Sequence, residues 1–420
     1  MSEAVIMSAT LAAEEVLERK RRNGQRVLSL ASGEIGLPVH ASLKDRLSAA
    51  ADQNAYGPVA GSPGLRTAAA GYWARRGLDA DPDLVIAGPG SKALLFAALM
   101  AVDGDVVVPV PSWVSYSAHV RLIGREPLPV PIVPGHGGVP DPDLLHGAVS
   151  AARARGREVK AVVVTIPDNP TGTVAAPDIV RRFAEVASEL DLVIVSDQIY
   201  TDLVFDATAP ASSPAEYAPE RTVVTTGLTK SLALGGWRTG VARLPDADLH
   251  QRLRTIASHI WSSPPAPVQA VAAYAFDEPP ELVSWVAAAR ALHEKVARAL
   301  AARFTAAGAS LEPVHATCYL YPDFEPLREH LERVHGVSGG RGLAALLLEK
   351  HHVGVLAASE FGEPDRKLGV RVSTSHLYGD TDRQRTAALT ADDPVELPWI
   401  KACVEHIGSI LTDLTGRATS

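Results

Sequence analysis

Short apolar runs alternate with longer segments whose apolar residues recur at helical spacing between about residues 85 and 230. Residues 85–86, 105–110, 162–165, 192–195 and 221–226 read as strands, mostly as continuous apolar runs rather than alternating ones. Residues 93–101, the stretch from Trp113 to Leu122 and residues 178–190 read as the helices between them. Apolar strands of this kind, interleaved with amphipathic helices, predict a mostly parallel sheet with helices on both faces.

The flanks differ. Residues 1 to about 26 read as a polar helix ending at Asn23-Gly24, with so few apolar positions (Leu11, Val16, Leu17) that an arm is expected rather than a core helix. Residues 27–30 form a short strand, a helix capped near Ser42 runs to about Asp52, and 56–66 is a loop opening a helix through Arg76. Past Pro279-Pro280, a long Ala-rich helix over 281–307 leads into short strands at 319–322, 353–356 and 370–373 and helices at 343–350 and 399–414. Residues 376–398 read as a polar insertion. The expected division is a large domain over 46–284 and a smaller α+β domain made of 1–45 and 285–420.

Composition narrows the function classes. A chain of 420 residues exceeds one compact core, and 46% apolar with 21% charged residues is ordinary for a soluble globular protein. A formal net charge of −8 argues against nucleic acid or an anionic membrane as the main partner. The two cysteines, Cys318 and Cys403, are far apart and have no His or Cys at metal spacing. No disulfide framework and no metal site are expected, and a reducing compartment is. With no basic-then-apolar leader and no apolar run approaching about 18 residues, the expected location is cytoplasmic.

The chemistry gathers at strand ends. Thr225 to Gly240 places Lys230 between a short strand and a Gly-rich turn, with Arg238 eight residues later. A lysine in a dry pocket loses its proton readily enough to form a Schiff base with an aldehyde. An arginine fork suits a phosphate dianion. Aldehyde plus phosphate describes pyridoxal 5'-phosphate (PLP), which makes Lys230 its candidate anchor and Arg238 its candidate clamp. Gly88-Pro89-Gly90-Ser91-Lys92, turning into a helix, is a ready anion site. Asn169, Asp197 and Lys230 all follow strand ends, which on a parallel sheet puts them in one crevice. Singly, each has a plainer reading: a solvated lysine, an aspartate capping a helix, a tight strand-to-helix turn.

Taken in order, Tyr56 to Arg66, Gly90-Ser91-Lys92, Pro111-Ser112-Trp113, Asn169-Pro170-Thr171-Gly172, Asp197 with Tyr200, Lys230 with Arg238, and Arg371-Val372-Ser373 form a joint pattern. It resembles the class I/II aminotransferases of the aspartate aminotransferase superfamily, from about residue 28 to residue 375. The resemblance implies the α/β PLP-dependent transferase fold type I with a smaller α+β domain, and PLP as cofactor. It implies that Lys230 holds the cofactor and then shuttles protons, and that Asp197 pairs with the pyridine nitrogen. Tyr200 and Asn169 would contact the ring oxygen, and Trp113 would stack on the ring. Phosphate would meet Arg238, Ser91, Lys92 and a hydroxyl of Thr226 or Thr229. Tyr56 would reach the phosphate from a partner subunit, so a homodimer with shared active sites is implied. Substrate contacts would come from Gly33, Trp113, Asn169 and Arg371, the last binding the α-carboxylate.

The implied reaction is amino-group transfer between an α-amino acid and a 2-oxo acid. The alternative is a PLP-dependent lyase, cyclase or oxidative deaminase, which the same contacts would serve. A non-catalytic regulator would need a DNA-binding appendage, which residues 1–27 are too short and acidic to supply. The sequence departs from the family's usual pattern at a short loop over 33–38, at Asp168 and Gln198 beside the expected ligands, and at the insertion.

Overall fold

The structure, a computed structural model, describes residues 5–417. Its centre is an eight-stranded sheet in the spatial order Val85–Gly88, Gly240–Arg243, Thr222–Gly227, Val193–Asp197, Val159–Thr165, Asp105–Val110, Pro127–Val133 and His136–Pro140. The five strands from Thr222–Gly227 to Pro127–Val133 run parallel to one another. Gly240–Arg243 is antiparallel to both its neighbours, and His136–Pro140 closes the far edge antiparallel.

The continuous apolar runs have a simple cause: both sheet faces are covered. Val106 and Val108, Val163, Val195 and Val223 pack with the helices Ser91–Ala101 and Ala247–Ile260. Their alternating neighbours Val107, Val162, Val164 and Ile194 pack on the other face with Pro142–Ala154 and Pro177–Glu189. The period of two along a strand therefore selects between two apolar layers rather than between core and water.

Three strands are added to those expected from sequence. Pro127–Val133 carries prolines at 127, 129 and 131, a composition that reads as irregular. At alternate positions these prolines lack donors along only one edge of the strand, so pairing along the other survives. Gly240–Arg243 and His136–Pro140 are short and Gly-rich or paired only locally. The helices Pro142–Ala154, Ala247–Ile260, Ala266–Phe276 and Arg328–His335 are also additional.

Corrections are small but physical. The first helix, Ala9–Arg22, is tied to the body: Leu17 is buried against Gly354, where a Cβ would come within 2.7 Å of the leucine. Helix Ala41–Ala49 is capped by His40, whose Nδ1 accepts the Ser42 N–H at 3.3 Å, rather than by Ser42. The run over 353–356 splits into two pairings, Val353–Gly354 with Leu28–Ser29 and Leu356–Ala357 with Val370–Ser373. The polar insertion is folded: a capping box starts helix Asp382–Thr390, Ala388 is buried, and Tyr378 is buried beside the long helix Pro280–Ala306 through His293. One apolar cluster joins the residues around Leu43 and Leu65 to those of the C-terminal helix Pro398–Thr415.

Candidate active site

The carboxyl ends of the parallel strands open into one cavity of about 800 Å³. Asp197 ends its strand, Tyr200 follows three residues later, and Asn169 lies in the turn after Val159–Thr165. Lys230 is carried by the single-turn helix Leu228–Ser231, directly after Thr222–Gly227. Ser91 and Lys92 begin helix Ser91–Ala101, which has no side-chain cap. Trp113 follows strand Asp105–Val110, and Arg371 comes from strand Val370–Ser373 across the cavity. These residues, with Gly33, Thr229 and Arg238, all line the cavity. Thr226 does not; it is buried and its hydroxyl donates to the Gln198 carbonyl at 3.3 Å. Tyr56 is also outside it, 90% exposed.

At the cavity floor, the Tyr116 phenol donates to Asp197 Oδ2 at 2.9 Å and is itself bonded to the Thr165 hydroxyl. The Ile199 N–H reaches Asp197 Oδ1 at 3.3 Å. Burial pushes the Asp197 carboxyl up to about 6, against the downward pull of the Tyr116 and Ile199 hydrogen bonds and the Lys230 charge. A carboxylate in that setting is stabilised by a cation brought beside it.

Lys230 Nζ donates to the Gly33 carbonyl and stands 5.7 Å from the centre of the Tyr200 ring. Asn169 bridges two sides of the cavity: its amide donates to the Tyr200 hydroxyl at 3.5 Å, and its carbonyl oxygen accepts from Arg371 Nη1 at 3.1 Å. Arg371 is 1% exposed, donates Nη2 to the Ala31 carbonyl at 2.5 Å, and leaves Nε buried without a partner among the described residues.

The opposite end is built for an anion. The uncapped start of Ser91–Ala101, the Arg238 guanidinium and Lys92 converge there. Arg238 adopts a left-handed backbone, φ 53°, uncommon for a residue with a Cβ, and donates to the carbonyls of Gly235 and Pro89. Gly90, at φ +93°, is required: a Cβ there would come within 2.5 Å of the same guanidinium. Burial, then the charges of Arg238 and Lys230, lower the Lys92 pKa. Trp113 is held edge-on by Tyr116 and His119, at centroid distances of 5.2 and 5.8 Å.

Four features of the cavity were not singled out from sequence. Tyr116 lies three residues after Trp113, a helical neighbour spacing that could have linked them. Tyr319, Arg385 from the insertion and the inner wall formed by helix Ala9–Arg22 reach it only through long-range packing.

A parallel sheet, a lysine just beyond one strand and an aspartate at the end of the next define an α/β transferase of the fold type expected. The chain belongs to the aminotransferase class I and II family, which matches residues 25–381. It is 34% identical over 294 residues, covering 69% of this chain and 74% of the relative, to a probable aspartate/prephenate aminotransferase of Thermus aquaticus. It is 29% identical over 386 residues to the aspartate aminotransferase of Geobacillus stearothermophilus, covering 90% and 95% of the two chains. The aspartate aminotransferase structure from Thermus thermophilus with maleate superposes at a TM-score of 0.80, 28% identical, covering 92% of this chain and 96% of that one. The protein is thus an aminotransferase, moving an amino group between an amino acid and a 2-oxo acid, in a family that uses PLP.

Asp168, beside Asn169, makes a pH-dependent prediction. It is fully buried, accepts the Thr171 hydroxyl at 2.6 Å and N–H at 3.2 Å on Oδ2, and leaves Oδ1 without a partner among the described residues. Burial raises its pKa to about 7. A carboxyl raised on folding contributes stability fully present below its unfolded value, about 3.9, and lost as pH rises through the folded value. Asp168→Asn, which keeps the acceptor, should raise the melting temperature by several degrees at pH 8 and far less at pH 4.5. A pH-independent difference would contradict this assignment.

Proposed function

We propose that this chain carries PLP on Lys230 and binds an α-amino acid with its α-carboxylate on Arg371. The observation that carries the proposal is the cavity's charge layout. A buried carboxyl in need of a cation, an amine, and an arginine whose Nε has no partner among the described residues face one space, with an anion cradle at its far end. These groups match a cationic ring nitrogen, an aldehyde, a substrate carboxylate and a phosphate. The cavity volume, about 800 Å³, accommodates the cofactor and an amino acid together.

Bound PLP supplies the electron sink that lets the bond between the substrate's α-carbon and its hydrogen break. Asp197, oriented by Tyr116, would be ionised beside the ring's charge and would keep the proton on the ring nitrogen. Tyr200 and Asn169 would contact the ring oxygen, Trp113 would pack against the ring, and Ser91, Lys92, Thr229 and Arg238 would hold the phosphate. The Lys230 amine, which would hold PLP, would also be the group placed to accept the proton from the substrate's α-carbon. Gly33 borders the substrate.

Arg371 and Gly33 belong to the proposed smaller domain, 1–45 with 285–420, and Lys230 and Asp197 to the larger, 46–284. Carboxylate binding would draw the two together and exclude water. The exposed Tyr56 suits a reach into a second copy's phosphate site, the basis for inferring a homodimer.

Borohydride reduction of the PLP-loaded protein, followed by peptide mapping, should place the label on Lys230; a label on another lysine would contradict the anchor. Arg371→Lys keeps the charge but loses the fork, so the KM for α-amino acids should rise by about tenfold or more, while the cofactor's visible absorbance is unchanged. Wild-type KM in that variant would move the carboxylate elsewhere.

A further inference from the structure

Tyr319 takes no part in the roles assigned above, yet it touches three of the groups that do. Its hydroxyl lies 3.1 Å from that of Tyr200 and 3.4 Å from the Gly33 carbonyl that receives Lys230. Its ring meets the Tyr200 ring edge-on, with centroids 5.7 Å apart at 79°. The Arg371 guanidinium carbon lies 4.6 Å from the centre of the same ring, with Phe361 at 5.2 Å. Tyr319 itself is fully buried.

The backbone around Tyr319 is held from independent directions. It pairs with Ser373 in the antiparallel ladder that also carries Arg371. Thr317, buried and β-branched, sits in the left-handed region at φ 68°, with its hydroxyl accepting the Tyr319 N–H at 3.1 Å. A β-branched residue there is strained and persists only where its surroundings hold it. Gly172, which closes the turn bearing Asn169, accepts from the N–H groups of His315 and Ala316, each at 3.0 Å. A Cβ on Gly172 would stand 2.4 Å from the Tyr319 carbonyl oxygen, so the two segments meet backbone to backbone.

We propose that Tyr319 is a positioning residue for amino transfer: its ring seats the Arg371 guanidinium, and its hydroxyl orients that of Tyr200. This rests on the PLP reading of the cavity. A tyrosine has one proton to give. The Gly33 carbonyl at 3.4 Å competes for that proton; when Tyr319 instead donates to the nearer Tyr200 oxygen at 3.1 Å, the Tyr200 proton is left free to point at the cofactor's ring oxygen. The ring's face offers the guanidinium an attractive surface without taking up the N–H groups that a carboxylate needs. One side chain thereby couples the group that binds the substrate to the group that contacts the cofactor.

The test separates ring from hydroxyl. Tyr319→Phe keeps the buried ring. With the Tyr200 donor less well held, the cofactor's ring oxygen becomes more basic, so the visible band of the PLP-loaded protein should titrate about half a pH unit higher. In the same variant kcat should fall about three- to tenfold, with KM for the amino acid unchanged. Tyr319→Leu removes the platform as well and should raise KM by about tenfold. A Phe variant with wild-type titration and kcat overturns the hydroxyl's role, and a folded Leu variant with wild-type KM overturns the ring's. The Phe variant alone decides the hydroxyl's role if the Leu variant does not fold. A wild-type protein with no visible band after PLP loading would instead overturn the cofactor reading and the hydroxyl's role with it, whereas a normal wild-type band with an unshifted Phe variant overturns the role of Tyr319 alone.

Discussion

A carboxyl group buried at the end of a central parallel strand organises this protein. Asp197 is almost wholly buried at the edge of the cavity, and burial raises its pKa to about 6 despite two hydrogen bonds and a nearby lysine. The sheet imposes this position, because the parallel strands end together and the side chains that follow them have one place to converge. Tyr116 sets the carboxylate's orientation from the neighbouring helix, and Thr165 sets Tyr116 in turn. A group so disposed favours a cationic partner, and Lys230, Asn169, Arg238 and Arg371 line the same cavity.

The second constraint is the bridge across the cavity. Asn169 contacts both Tyr200 and Arg371, so the part of the chain that carries Lys230 and Asp197 is joined by direct hydrogen bonds to the strand carrying Arg371. Ala31 and Gly33, from the segment after the first helix, complete it by accepting from Arg371 and Lys230. The N-terminal helix is consequently a wall of the cavity as well as a packed element, with Leu17 buried against Gly354 and Leu11 bordering the opening.

What was legible in the sequence follows from what is local. Val107 and Val108 announce a strand because both faces of the sheet are dry, and Asn169, Asp197 and Lys230 announce themselves because strand ends are marked by the change of composition. The proline-bearing strand Pro127–Val133 was opaque, since its pairing depends on which edge the missing donors occupy. Tyr319 was legible only as part of a strand; its contacts with Tyr200 and Arg371 bring together residues more than 100 and 50 positions apart, respectively. The insertion read as polar because its buried residues, Leu377, Tyr378, Ala388 and Pro394, are few and follow no helical or strand period. Arg385, one of its charges, lines the mouth of the cavity, which no short pattern predicts.

The central claim is that this cavity moves an amino group and retains it between two half-reactions. A single-turnover experiment tests it most directly: PLP-loaded protein is mixed with an excess of α-amino acid in the absence of any 2-oxo acid, and the small-molecule products are counted. Amino-group transfer yields one equivalent of 2-oxo acid per chain, no free ammonia, and renewed product only after a 2-oxo acid is added. Continuous release of ammonia, or a product altered at a carbon beyond the α-carbon, would contradict it.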